Sequence, residues 1–483
     1  MPLVAAVLVL LVLPGTLLVT TLRSDCRQID VTQPPAIALD TIAAAGRLAE
    51  AVRFRTVSPD DPRELSPRAL LGFRDFLAAS YPSVHRALTR EVVNKYSLLY
   101  TWRGTDTGRK PVLLMAHLDV VPVEPGTERD WTEPPFSGRI ADGYIWGRGT
   151  IDDKSSVLGI LEAVEFLVRR GFRPSRTVYL AFGHDEEARG HEGAEKIAAL
   201  LKSRGVALEY LLDEGLVIAD GLMPGLTTPV AMIGTAEKGW LTLELTATDA
   251  GGHSSMPPPH TAVGILATAI HRLEANPMPA AIEPPVTELF ACVAQEMPFI
   301  PRMVLTNLWL FGPLVKHQLA RSPATNAAIR TTTAVTIARG GTRDNVLPKS
   351  ATAIVNFRIL PGESTANVTE YSRRMIDDPR VTITSVKREE PTPVSGTDPA
   401  SFRTLATTIR QIFPGVLVAP GLVIVRTDSA HFLIITDAAY RFRPLRLTPA
   451  DLSRIHGTNE RIAIDSYAAL IAFYVQLLRN SAS

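Results

Sequence analysis

Gly147-Arg148-Gly149-Thr150-Ile151-Asp152-Asp153-Lys154 is the stretch on which the reading of this chain turns. His117-Leu118-Asp119 lies upstream of it, and Asp185-Glu186-Glu187 and Asp213-Glu214 lie downstream. Three of these patches directly follow a short apolar run: residues 111–116 (PVLLMA), 176–182 (RTVYLAF) and 209–212 (EYLL). Such runs read as buried strands. In an open α/β sheet, ligands gather at the carboxyl ends of the strands. Imidazole and carboxylates converging there are the donor set of a divalent metal. The pattern points to a metal-dependent hydrolase.

Bulk properties are compatible with that. A length of 483 residues favours two or three domains, each with its own core. With 50 Lys+Arg against 49 Asp+Glu the net charge is +1, which gives no electrostatic case for nucleic acid. The only cysteines, Cys26 and Cys292, are too few for a disulfide framework or a thiolate zinc cluster, and their number leaves the redox compartment undecided. Neither repeats nor low-complexity tracts occur.

The amino terminus is the second strong signal. Pro2 to Leu22 carries no charge and is rich in Leu and Val, broken once at Pro14-Gly15. About 20 apolar residues suffice to cross a bilayer. A cleaved signal normally has a basic start and a small-residue cleavage site, and this stretch has neither. An uncleaved anchor over 1–24 is the first expectation and a cleaved signal the second. Both place the body of the protein outside the cytoplasm. Residues 25–40, with Pro34-Pro35, read as a linker.

Helix and strand patterns then alternate from Thr41 to about Thr235, as in a doubly wound α/β layer. Val157, Ile160, Leu161, Val164, Leu167 and Val168 fall at helical spacing, predicting a helix over Ser155–Arg170 that stops at Gly171. Residues 236–390 change texture. Strand alternation from Trp240, from Ala351 and from Val381, with helical patterns at Ala262–Leu273 and Val368–Ile376, predicts an α+β insert. From 391 to 483 the first pattern resumes. The fold class expected is therefore an α/β doubly wound catalytic domain, 41–235 and 391–483, with an inserted α+β lid or dimerisation domain.

His117 and Asp119 are two apart and share a strand face, which suits an imidazole ligand steadied by a carboxylate. Asp152 could bridge two metals, and Glu186-Glu187 could divide between ligand and general base. Two zinc ions are balanced by the carboxylates of Asp152, Glu187 and Asp213 together with one hydroxide, whereas one zinc ion would be overcharged by them. Competing motifs fail: His191-Glu192-Gly193-Ala194-Glu195 lacks the second histidine of a zinc helix, Gly147-Arg148-Gly149 lacks the third glycine of a dinucleotide loop, and Gly-x-Ser-x-Gly is absent.

These motifs, with Gly251-Gly252-His253-Ser254-Ser255, Asn345-Val346-Leu347-Pro348, residues 356–361 (NFRILP) and Arg454-Ile455-His456-Gly457, resemble the aminoacylase/carboxypeptidase family of dinuclear zinc peptidases. The resemblance spans roughly residues 40–480 and is strongest to its branch of N-fatty-acyl-amino-acid synthases/hydrolases and Gly-X carboxypeptidases. It implies two zinc ions held by His117, Asp152 (bridging), Glu187, Asp213 and His456, with Asp213 taken over Glu214. It further implies Glu186 as general base and Asp119 as the carboxylate that orients His117. His253 is implied as an oxyanion donor to a partner subunit in a homodimer, and Asn345 and Arg358 as the grip on a substrate carboxylate. Relatives usually continue Thr427-Asp428-Ser429 with Arg, whereas this chain has Ala430-His431.

The activity implied is reversible cleavage of an N-acyl, above all N-fatty-acyl, amino acid. The alternatives are a broad metallo-carboxypeptidase or dipeptidase, and a membrane-anchored binding protein on a peptidase fold. The apolar stretch Val286–Val315, interrupted by Pro301 and Pro313, is expected either to pack as ordinary helix or to line a channel for the acyl chain.

Overall fold

The computed structural model describes every residue except 1–12, 24–25, 27, 60, 62–63 and 224. Its centre is an eight-stranded mixed sheet whose strands run, edge to edge, Thr89–Val93, Ser97–Trp102, Val178–Gly183, Val112–His117, Tyr210–Ala219, Ala439–Leu447, Val230–Glu237 and Leu417–Val423. The four strands from Val178–Gly183 to Ala439–Leu447 are parallel, so their carboxyl ends open on one side. Alternation along each strand feeds two cores. Leu114, Leu180 and Leu212 face the helices Thr41–Val52, Lys154–Arg169, Ala400–Ile412 and Ile464–Ala482. Leu113, Met115 and Leu211 face Ala194–Ser203 and the short turn Asp428–Ile434. Helices thus cover both faces, and the doubly wound layer expected from the sequence is present.

The predicted helix over Ser155–Arg170 is found at Lys154–Arg169. Asp153 stands at its N-cap yet caps nothing: neither carboxylate oxygen has a hydrogen-bond partner, and the nearest cation is Arg443 at 3.3 Å. One strand differs from expectation. The run ending at Leu212 continues through Asp213-Glu214 to Ala219, because a bulged pairing with Ala439–Leu447 carries the strand onward. The acidic pair therefore lies inside a strand, and its two side chains point to opposite faces.

The chain leaves this layer through Lys238-Gly239 and enters a four-stranded antiparallel sheet, ordered Thr332–Gly340, Ser350–Ile359, Gly239–Thr248, Val381–Glu389. Helices Ala262–Ala275 and Thr365–Ile376 cover its buried face. Three of these strands follow from alternation; the fourth, Thr332–Gly340, is largely exposed and carries no such pattern. The two crossings between domains run side by side. A Cβ on Gly239 would lie 2.6 Å from Pro391 N and 2.7 Å from Glu389 O, so this close approach requires glycine.

Between helix and sheet the lid carries a helical segment, Val286–Val293, Phe299–Thr306, Leu308–Leu319 and Pro323–Ala328. Val293 and Cys292 pack with Val230, Leu417 and Ala419 on the edge of the central sheet. Packing thus accounts for the first part of the apolar stretch. In the remainder, Phe299, Ile300, Trp309, Leu310 and Leu314 are exposed. Cys26 and Cys292 form a disulfide that ties the amino-terminal segment to this helical unit. The expected anchor falls partly on residues 1–12, outside the described residues; residues 13–22 are helical, and among described residues no helix is long and apolar enough to cross a membrane.

Candidate metal centre

His117 ends its strand, and Asp119 follows on the same face, fully buried. The imidazole Nδ1 lies 3.1 Å from the Asp119 carbonyl and 3.3 Å from Asp119 Oδ1. An Nδ1–H donor there leaves the Nε2 lone pair pointing away from Asp119. The Asp119 carboxylate also accepts Ser58 Oγ–H at 2.6 Å and the backbone N–H groups of Glu186 and Glu187 at 3.2 and 3.1 Å. One carboxylate therefore fixes both the histidine and the turn carrying the two glutamates. Burial opposes its charge, but these donors hold its pKa below the usual aspartate range.

Asp152 is delivered by the glycine-rich stretch with which the sequence was opened. Gly147 has φ +139, and a Cβ there would lie 2.4 Å from Val52 Cγ1, so the turn admits only glycine. Its backbone donors converge on Glu460, whose Oε1 accepts from Gly149, Ile151 and Asp152 at 3.0, 2.8 and 3.2 Å. Its Oε2 pairs with Arg148 at 2.7 Å. Both side chains of that pair are buried. Sequence reasoning missed Glu460, since an isolated Glu beyond His456 carries no local signal.

The result is a two-sided arrangement. Asp152 Oδ1 lies 3.0 Å from His117 Nε2, while Asp152 Oδ2 lies 3.1 Å from His456 Nε2. Glu214 Oε1 is 3.3 Å from His117 Nε2, and Glu187 Oε1 is 3.4 Å from His456 Nε2. Two donors bound about 2.0 Å from one tetrahedral zinc sit roughly 3.3 Å apart. The spacings match that figure. Asp428 Oδ2, buried nearby, has no hydrogen-bond partner. Burial, and then Glu187 and Asp428, push Glu186 well above the usual carboxylate range; burial, and then Asp152, raise Glu187. Hydrogen bonds to Asp152 and Glu187 lift His456 to about 10. Glu186 and Glu187, raised by burial and neighbouring carboxylates, stand beside Asp152 with imidazole nitrogens aimed among them, a donor set that fits divalent cations.

The acidic pair divides. Glu214 faces His117, whereas Asp213 turns to the other side, accepting from Ser429 N at 2.8 Å and from Glu214 N at 2.9 Å. Burial, then Glu237, raise Asp213 to about 6. Strand continuation through the pair produces this split, and it places Glu214 rather than Asp213 against His117. Arg443, on the neighbouring strand, reaches Asp152 Oδ1 at 2.9 Å and bonds Glu214. It is a second residue to which the sequence reading assigned no role; among Arg441, Arg443 and Arg446 of one strand nothing local marks it until pairing buries it.

The lid residues stand apart from this cluster. His253 is exposed, with Nδ1 accepting Ser255 N–H at 3.1 Å, and Asn345 is exposed on the paired strand loop, its carbonyl accepting Ser254 N–H at 3.2 Å. Arg358 stacks on Trp240 at 3.5 Å, and Arg189, directly after the glutamate turn, approaches the same ring at 4.5 Å. Burial, then Arg189, lower Arg358 to about 10. Arg189 is anchored by Glu389 at 3.2 Å, and its carbonyl faces His431 Nε2 at 2.9 Å. No carboxylate stands against Arg358 among the described ion pairs.

Residues 113–480 match the model of "Peptidase family M20/M25/M40". The chain is 44% identical over 435 residues to the N-fatty-acyl-amino acid synthase/hydrolase PM20D1 of Xenopus tropicalis, covering 89% of this chain and 84% of that protein. It is 42% identical to probable carboxypeptidase S-like 2 of Dictyostelium discoideum, covering 96% and 91%. In fold it matches the M20 family metallo-carboxypeptidase Sso-CP2 of Sulfolobus solfataricus, with a TM-score of 0.65 at 17% identity over 92% of this chain and 99% of that one.

Proposed function

Because this chain belongs to peptidase family M20/M25/M40, we propose that it is a two-zinc amidohydrolase releasing a carboxylic acid and an amino acid from N-acyl, above all N-fatty-acyl, amino acids, and able to run as condensation. That it is a metallohydrolase follows from the family and the donor set. The observation carrying the two-metal reading is Asp152, one oxygen toward His117 and the other toward His456.

His117 lies on one side of Asp152, and Glu187 with His456 on the other. The remaining carboxylate comes from Asp213-Glu214, where the facing geometry favours Glu214. Bound zinc would supply Lewis acidity to the scissile carbonyl and acidify the attacking water. Glu186, its pKa raised, takes the water proton and returns it to the leaving nitrogen. Asp119 holds His117 Nδ1 throughout. Arg358 and Asn345 bind the substrate carboxylate, for which a guanidinium fork is well shaped. His253, exposed on the lid, serves the oxyanion of a partner subunit in a homodimer. The Cys26–Cys292 disulfide supports an extracytoplasmic protein, secreted or held at the membrane by its amino-terminal segment.

The first relative's name favours acyl amino acids, and the second's favours a broad carboxypeptidase as the other reading. Hydrolysis of N-acyl-phenylalanines from acetyl to oleoyl, set beside dipeptides, separates them. A kcat/KM that rises with acyl length supports the acyl reading; a flat series, or faster dipeptide turnover, assigns a carboxypeptidase.

A further inference from the structure

Residues 13–22 form a helix that is inside out for water. Thr21 is fully buried, its hydroxyl accepting from Asn307 Nδ2 at 3.2 Å, and Thr20 donates to Asn307 Oδ1. Arg302 Nε donates to the Thr21 carbonyl at 3.1 Å. Asn307 is itself fully buried, donating also to the Met303 carbonyl at 2.8 Å. The threonines face protein, and Leu18, Val19 and Leu22 face outward.

The helices beneath repeat the pattern. Phe299 and Ile300 are exposed at the start of one, and Trp309, Leu310, Pro313 and Leu314 form an exposed stripe at spacing four along the next. Polar groups joining helices inside while apolar side chains point out is the arrangement of protein in lipid.

We infer that these helices, 13–22, Phe299–Thr306 and Leu308–Leu319, form one platform lying in the surface of a lipid bilayer. Two features name the occupant. Residues 1–12, uncharged and apolar, lead directly into the first helix of the patch. No Asp or Glu occurs between Glu296 and Asp344, a stretch that carries Arg302, Lys316 and Arg321, which suits anionic headgroups. The platform adds a second contact to any attachment through the amino-terminal segment and does not rest on the substrate assigned above. It would place the catalytic domain beside the membrane, where amphiphiles partition.

The test uses the full chain on vesicles of phosphatidylcholine and phosphatidylglycerol with brominated acyl chains. Trp309 is 61% exposed, while Trp102, Trp131 and Trp146 are buried. Bromolipid should quench emission, Trp309→Phe should remove that quenching, and Ile300→Asp with Leu314→Asp should reduce it at least roughly twofold. Turnover of a short soluble substrate should stay unchanged, showing the double variant folded. A chain that stays bound to vesicles without quenching at Trp309 overturns the platform while leaving amino-terminal attachment intact. A wild-type dimer in solution that the double variant dissociates, with no quenching, assigns the face to a second copy instead and overturns it too.

Discussion

Glu460 sits beneath Asp152, its Oε1 accepting the Asp152 backbone N–H at 3.2 Å together with those of Gly149 and Ile151. The residue at the centre of the candidate metal site is thus aimed by a carboxylate that lies outside it. Arg148 neutralises that carboxylate at 2.7 Å, and neither member of the pair reaches solvent.

Glu460→Ala should therefore destabilise the protein by about 3–5 kcal/mol, because it strands a buried guanidinium and three backbone donors. Denaturant unfolding gives the number. Loss below 1 kcal/mol would show that the turn holds itself.

Glu186→Gln should lower kcat by roughly a hundredfold or more with metal content unchanged, since only a proton carrier is removed. Asp152→Asn should instead release metal, read by elemental analysis of the purified variants. An active Glu186→Gln enzyme would remove that residue from the base role.

The acidic pair allows a direct comparison. Glu214 faces His117 at 3.3 Å and Asp213 faces Ser429. Glu214→Gln should lower bound zinc more than Asp213→Asn. The reverse order would restore Asp213, the residue favoured by resemblance, and would mean that metal binding turns the strand.

Lys238, where the chain crosses into the lid, donates to the carbonyls of Ala327 and Arg330 at 2.9 and 2.7 Å, and burial, then Arg358, lower it to about 7. The unfolded chain keeps this proton up to about pH 10.4, so between those values it binds more protons than the folded one. The Lys238 contribution should therefore make stability rise with pH from about 7 to 10, and Lys238→Met should flatten that rise in unfolding measured across pH.

Chemistry and fold class were legible in the chain itself. Apolar runs ending in His117 and leading to Glu186-Glu187 mark strands and their polar ends, and the run before Asp213 marks a strand though not its end, because burial and alternation are local properties. Trp240 and Ala351 declare lid strands in the same way. Partnerships made across long separations were decided only by tertiary structure. Glu460 under Asp152, Arg443 against Glu214, and Cys26 on Cys292 each join segments whose local sequences say nothing of one another. The split of Asp213 from Glu214 belongs there too, since a neighbouring strand decides whether the chain turns or runs on. So does the exposure of Trp309 and Leu314: apolar runs announce burial, but only packing reveals which face is left without a protein partner.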